Sequence, residues 1–366
     1  MDKRIKILFT IPNFDTAGSG RVVYDLVKGL DKDLFKPEIC CFHRRGDFYK
    51  TIEALGVKIH VFPFATSYRP YWSLPVRVLK IVRFFKRHRF DLIHSWHWSS
   101  DITEPLAAKL AGIPFVYTKK AMGWGNKAWL WRSKLSTKII AINSDMKPQF
   151  FSTMENKVVE IPLGVDTDYY KPQKTSPVLR MQLGIDDKDF VIVTVANLVP
   201  VKGAEILIEA VNSIKDDKMK LLIVGDDSSD YAKGLKRRYT RAKVQFLGKQ
   251  TDVRPYLSLA DVFVIPTLDE GRKEGLPIAP LEAMASGTIV IGSNISGIND
   301  ILEPFKTCLF EPNNIHQLIT AILGIKSMDV EDRNNLTKEM REHVMQSYLM
   351  VNCIENHQLL YKNLAK

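Results

Sequence analysis

The sequence predicts an α/β protein made of two doubly wound, Rossmann-like domains, each built on a parallel sheet. Short apolar runs rich in β-branched residues alternate with helical patterns along nearly the whole chain. The alternation is interrupted at IPLGVDTDYYKPQKTSP, where Pro, Gly and polar residues gather. The 366 residues suffice for two cores of ordinary size, and 45% apolar with 25% charged residues are globular values. The expected organisation is an N-terminal domain over residues 1–165, a C-terminal domain over 166–345, and a terminal helix over 346–366 that packs back on the first domain.

The chain opens with MDKRIKILFTIPNF, basic residues followed by an apolar run. The run is short, and Pro12, Asn13 and Asp15 stand where a leader would need a small-residue cleavage site, so KILFTIP reads as a first strand and the expected location is cytoplasmic. TAGSGRVV follows, then a helix from about Arg21 to Leu30. Gly18 and Gly20 would let a ligand approach backbone at a helix start, although the GxGxxG spacing is missing and a simple turn fits as well. Next come the strand EICCF, a helix near Thr51–Leu55, the strand KIHVF, a helix near Val76–His88 and the strand DLIHSW. His97 stands just past this last strand, where open α/β sheets place ligand groups; a lone His there is more often structural. A helix near Thr103–Ala111 and the strands PFVYT, KIIAIN and VVEIP complete the half. Cys40, Cys41, Cys308 and Cys353 show no CxxC or Cys/His ligand spacing and read as core residues in a reducing compartment.

Charge is uneven. Residues 1–165 hold 27 of the 52 Lys and Arg but only 14 of the 41 Asp and Glu. No nucleic-acid-binding module is recognisable, and an anionic membrane surface or a phosphorylated acceptor accounts for the asymmetry. In LPVRVLKIVRFFKRHR a helix sets Arg77, Lys80, Arg83 and Arg87 along one face and Leu79, Val82 and Phe85 on another. Such a helix packs on the sheet with a solvated basic face or docks on anionic lipid. Trp124, Trp129 and Trp131, interleaved with Lys127, Arg132 and Lys134, suit the lipid interface. No run is long and apolar enough to span a bilayer.

The second half repeats the alternation with FVIVTVAN, a helix near Ala204–Ser213, KLLIVG, a helix near Tyr231–Tyr239, VQFLG, a short helix near Val253–Leu259, ADVFVIP, TIVIG, then FEP and two C-terminal helices. In ANLVPVKGAEILIEA, Lys202 and Gly203 immediately precede a helix, which brings an ammonium to a phosphate. Gly225 and Gly248 end two further strands, where backbone can approach a base. Asp31/Asp33, Asp166/Asp168 and Asp187/Asp189 form Asp-x-Asp triplets, but all lie in turn-like stretches away from strand ends and read as solvated turn acids. The richest stretch is VIPTLDEGRKEGLPIAPLEAMASGTIVIGSN, a strand, loop, helix and strand. With Pro277 at the first helical position and Gly287 past the last, Gly275, Leu276 and Pro277 open a helix whose free N–H groups form an anion seat. Glu274 and Glu282 frame it, and Glu282 sits in an otherwise apolar helix, where a charge needs a donor such as a ligand diol.

EGLPIAPLEAMASG closely resembles the Glu, seven residues, Glu signature of glycosyltransferase family 4, retaining enzymes of the GT-B fold. The resemblance implies that Glu274 meets the donor sugar and Glu282 the nucleotide ribose. It implies that TAGSG stands for the family's first glycine loop, from which Gly18 alone carries over, and that His97 lies near the transferred sugar with His94 in support. IPLGVD is similar to the interdomain segment. The family usually has Arg where this chain has Asn197, which leaves Lys202 as the cation for the diphosphate, with Arg254, Arg272 or Lys273 as substitutes. The expected activity is retaining transfer of a sugar from a nucleotide-diphosphate donor, a UDP-sugar, to a saccharide or lipid-linked saccharide acceptor in surface polysaccharide synthesis. The donor would bind in the second domain and the acceptor in the first, with no cofactor, metal or nucleic acid involved. His97, Glu274 and Lys202 are the candidate catalytic residues. A nucleotide-sugar epimerase on the same fold and a catalytically silent assembly homologue are the alternatives.

Overall fold

The computed structural model describes residues 3–15, 17–46, 48–239, 243–270 and 274–365. Contacts divide the chain into two units, Met1–Leu163 with Met350–Lys366, and Gly164–Leu349. Each unit is a parallel α/β domain.

The first unit runs β1 (Ile5–Thr10), α1 (Ala17–Gly29), β2 (Phe35–Cys41), α2 (Tyr49–Glu53), β3 (Ile59–Val61), α3 (Leu74–His88), β4 (Leu92–Ser95), α4 (Thr103–Ala111), β5 (Phe115–Lys119), α5 (Trp129–Leu135), β6 (Lys138–Ala141), α6 (Met146–Phe151) and β7 (Val158–Glu160). All its strands are parallel, in the order β3-β2-β1-β4-β5-β6-β7. β4 and β5 are buried at every residue, as a sheet covered on both faces requires.

The second unit runs α7 (Pro177–Gln182), β8 (Phe190–Val195), α8 (Ala204–Ser213), β9 (Met219–Val224), α9 (Asp230–Arg238), β10 (Val244–Phe246), α10 (Arg254–Leu257), β11 (Val262–Ile265), α11 (Ala279–Ala285), β12 (Ile289–Ser293), α12 (Ile298–Ile301), β13 (Leu309–Phe310), α13 (Ile315–Ser327) and α14 (Val330–Ser347). Its six strands are parallel in the order β10-β9-β8-β11-β12-β13. The last helix, α15 (Met350–Leu364), belongs to the first unit. A Cβ on Gly29 of α1 would stand 2.3 Å from Ile354 Cδ1, so the glycine makes room for that side chain of α15. Gln358 Oε1 accepts from Asp31 N at 2.9 Å, and the Tyr361 hydroxyl meets His94 Nδ1 at 2.7 Å.

Several elements differ from expectation. Three helices close the chain, not two. α1 starts at Ala17, so Gly18 and Gly20 lie inside its first turn and not in a loop ahead of it. α5, α6 and α7, of 7, 6 and 6 residues, are too short to show a helical period, although α7 has a legible start in Ser176, whose side chain accepts from Leu179 N, followed by Pro177. α11 begins at Ala279, two residues after Pro277, with Pro280 in its first turn. Had Pro277 been the first helical residue, Pro280 would fall where the first intrahelical N–H is needed, and it has none.

Candidate active site

In each sheet the strand order reverses once, between β1 and β4 in the first unit and between β8 and β11 in the second. Open α/β sheets bind ligands beyond the strand carboxyl ends at such a reversal. Gly18 and His97 follow β1 and β4. Asn197 and Lys202 follow β8, and Glu274 follows β11.

In the second unit the chain after β8 makes a short 3-10 turn, Pro200–Lys202, and Gly203 then caps α8 at φ 66°. Gly203 is indispensable: a Cβ there would lie 1.9 Å from the Pro266 carbonyl oxygen just past β11. With that contact allowed, Leu268 N donates to Val201 O at 2.8 Å and the two loops run together. The loop is braced again by Gly297, at φ 83°, where a Cβ would meet the Gly275 carbonyl oxygen at 1.9 Å. Asp300 Oδ2 accepts from Gly297 N at 3.1 Å and fixes that turn. Between the braces Lys202 Nζ forms an ion pair with Glu274 Oε1. Glu274 Oε2 is buried and has no hydrogen-bond partner among the described residues. An acceptor atom so placed suits a ligand hydroxyl. Two residues 72 apart in sequence are thereby joined, and α8 opens with its free N–H groups beside them.

Glu282 is half-buried in α11, between fully buried Leu281 and Ala283. Leu276 is buried and, with Gly275 and Pro277, lies ahead of α11. Asn197 is exposed at the β8 end. Gly225 is required for an internal reason, since a Cβ there would fall 1.8 Å from the Ala196 carbonyl oxygen. Gly248, at φ 67°, has ordinary room, 3.7 Å from the Asp227 carboxylate. Arg254 is held by Asp252 at 2.6 Å and lies 3.8 Å over the Tyr169 ring, so it is committed to those two partners. Arg272 and Lys273 lie outside the described residues. Asp31 and Asp166 cap their own turns, accepting from Asp33 N and Asp168 N. Among the described residues no group of three His, Cys, Asp or Glu is arranged to hold a metal.

In the first unit a Cβ on Gly18 would meet nothing within 4 Å, whereas one on Gly20 would press on Phe14 at 3.0 Å. Gly18 therefore leaves open space at the α1 start, and Gly20 serves packing. His97 lies over a buried network that the sequence reading missed. Glu104, at the start of α4, is fully buried and accepts from Arg132 at 3.1 Å, from Ser95 Oγ at 2.8 Å and from the Thr10 hydroxyl. Arg132, also fully buried, donates to the Asp101 carbonyl at 2.9 Å. Burial works to raise the Glu104 carboxyl, and these donors oppose it. His97 Nδ1 is 4.0 Å from Glu104 Oε2 and has no hydrogen-bond partner among the described residues. Burial, with help from the Arg132 and Lys120 charges, pushes the His97 pKa down to about 3, so its ring is neutral.

Five expectations need correction. His94 does not assist His97, because its ring nitrogens go to Thr118 Oγ1 at 2.8 Å and the Tyr361 hydroxyl, deep in the core. Arg132 is not an interfacial cation. Trp124 and Trp129 stack on each other at 4.9 Å, half-buried, which leaves Trp131 as the exposed member of that trio. Arg77 does not line up with the solvated bases of α3, since it donates to Ser67 O at 2.6 Å and Pro70 O at 2.8 Å. Leu79 is 46% exposed, while Val78, Ile81, Val82 and Phe85 face the core.

Two family models match, Glycosyltransferase Family 4 over residues 16–169 and Glycosyl transferases group 1 over residues 176–343. The chain is 27% identical over 312 residues to the UDP-Gal:alpha-D-GlcNAc-diphosphoundecaprenol alpha-1,3-galactosyltransferase of Escherichia coli, covering 78% of each. It is 23% identical to the capsular polysaccharide biosynthesis glycosyltransferase CapH of Staphylococcus aureus, over 94% of this chain and all of that one. Among solved structures it resembles a glycosyltransferase from Rickettsia africae ESF-5, with a TM-score of 0.85 at 19% identity over 99% of both chains. It also resembles Anabaena HepE in complex with UDP-glucose, with a TM-score of 0.79 at 22% identity over 98% of this chain and 99% of that one. The chain therefore belongs to the glycosyltransferases, with a Glycosyltransferase Family 4 domain followed by a group 1 domain on the GT-B fold.

Proposed function

We propose that this glycosyltransferase retains configuration, takes its sugar from a UDP-sugar, and adds it to a saccharide or lipid-linked saccharide in surface polysaccharide synthesis without a metal. The Lys202–Glu274 pair carries the reading. A diphosphate donor competes for Lys202 and the free N–H groups of α8, and its sugar hydroxyl takes the orphaned Glu274 Oε2. The bond from the anomeric carbon to the diphosphate breaks while leaving-group charge is met by fixed donors, which is electrostatic preorganisation. The acceptor oxygen attacks the same face and gives its proton to the departing diphosphate, so no protein nucleophile is needed. Glu282 meets the ribose, with Gly225 and Gly248 near the base. The donor and the diphosphoundecaprenol acceptor in the Escherichia coli relative's name support the substrate classes. Calorimetry with UDP, GDP and ADP in EDTA tests this. UDP should bind best, and Glu282→Gln should weaken UDP and UDP-sugar alike. Activity abolished by EDTA and restored by a divalent ion would overturn the metal-free mechanism.

An anionic membrane surface is a fitting partner. Among the described residues no helix is long and apolar enough to cross a membrane. Trp72 is 84% exposed beside Tyr71 and Val76, with the exposed bases Lys80, Arg83, Lys86 and Arg87 on the following helix. Aromatic residues ahead of a basic face suit a lipid interface. Trp72→Ala combined with Lys80→Glu and Arg83→Glu should abolish salt-sensitive sedimentation with anionic liposomes. Wild-type protein that stays in the supernatant at low salt would exclude this partner.

A further inference from the structure

A hollow of about 430 Å³ opens beside His97 in the first unit. We propose that it is an acceptor subsite for an uncharged sugar ring, and that it rejects a phosphate or carboxylate on that ring. The proposal rests on the transferase reading above and narrows its acceptor.

The volume is that of a small-ligand cleft. One wall is Phe42, 37% exposed and stacked at 4.5 Å on fully buried Phe64, an aromatic face that cannot turn away. Tyr68, Ser99 and Asn126 supply neutral polar groups, and His97 adds a neutral ring. The formal charge in the lining is the Asp101 carboxylate, 7% exposed. Its oxygens accept from Thr103 Oγ1 at 2.8 Å and Glu104 N at 2.9 Å, and each keeps lone-pair capacity for a sugar hydroxyl. An anion in this hollow would meet that carboxylate at short range, with no Lys or Arg lining it among the described residues. The nearby arginines are already engaged. Arg132 is paired with Glu104, and Arg77 spends donors on Thr66 Oγ1 at 3.0 Å and on Ser67 O, so neither guanidinium stands among the lining groups that a bound anion would touch. The excess of basic residues in the first half is therefore not the signature of a phosphorylated sugar held here.

The test is saturation-transfer NMR on the full chain at neutral pH. Its probes are millimolar methyl glycosides of glucose, galactose and N-acetylglucosamine, each beside its phosphate monoester. At least one neutral glycoside should receive saturation and its ester should not. Phe42→Ala should weaken the neutral ligand by roughly tenfold, and Asp101→Asn should let the ester bind. Because Asp101 also caps α4, Asn126→Lys provides a second route: it leaves Asp101 in place, gives up only the exposed turn bond from Ala128 N, and should admit the ester. Equal saturation of neutral and esterified rings, a signal indifferent to Phe42→Ala, or no signal from any neutral glycoside would each overturn the subsite. The nucleotide calorimetry does not depend on this hollow, so such a result with UDP binding intact removes the subsite and leaves the transferase reading standing.

Discussion

At the scale of single residues the second-unit site is economical in cations among the described residues. Asn197 is neutral, Arg254 is committed to Asp252 and Tyr169, and Lys202 is the ammonium that the fold sets against Glu274. A charge-assisted hydrogen bond is roughly twice as strong as a neutral one, so Lys202 carries most of the leaving-group stabilisation in the proposed mechanism. Lys202→Ala should lower turnover by on the order of a hundredfold, the scale of removing one preorganised donor. Asn197→Arg should recover part of that loss, because it returns a cation to the same strand end. Single-turnover kinetics with a UDP-sugar reads both, and near-normal turnover in Lys202→Ala would remove the residue from the site.

At the scale of elements, glycines decide where the loops lie. Gly297→Ala would place a methyl group against the Gly275 carbonyl and hold alanine at φ 83°, whereas Gly184→Ala meets nothing within 4 Å at φ 59°. The left-handed conformation costs each variant about 1–2 kcal/mol. Gly297→Ala should in addition displace the Glu274 loop and reduce UDP-sugar affinity, while Gly184→Ala leaves affinity unchanged. Equal affinities would show that the brace does not position Glu274. This contrast also explains what was legible beforehand. The strands through β12 were readable, because a sheet covered on both faces demands uninterrupted apolar runs that few other segments supply, whereas β13, two residues long, offers no such run. The paired Glu signature and the lysine before α8 were readable because local spacing carries them. Gly297 was not, since its reason is a carbonyl 22 residues away. Arg132 was misread for a related cause: α5 is a 7-residue helix, and only the tertiary fold brings Ser95 of β4 and Glu104 of α4 to the guanidinium, with Thr10 of β1 donating to Glu104.

For the molecule as a whole, buried imidazoles should govern stability in mild acid. Burial lowers His94 well below its ordinary 6.5, takes His97 to about 3, and takes His357 to about 4 against a partly opposing bond to the Cys353 carbonyl. The folded chain keeps these rings neutral while the unfolded chain protonates them near 6.5. The unfolded state therefore binds more protons as pH falls below 6.5, and stability falls with it. The contribution is fully present above 6.5 and is lost progressively as pH drops toward the folded-state values. At pH 5 the gap for His97 and for His357 corresponds to about 2 kcal/mol each. Glu38 acts in a different window. Burial works to raise it, but hydrogen bonds from His60 and Lys6 outweigh that and hold it at about 2, so its contribution fades only below about 4.5. Urea midpoints should therefore drop between pH 7 and pH 5, above the window in which Glu38 acts. His357→Gln should flatten that slope even if it lowers stability at pH 7, because one proton-refusing ring is gone. A midpoint that stays constant from pH 7 to pH 5 would mean that the rings accept protons in the folded state, and that His97 does not present a neutral ring to its hollow.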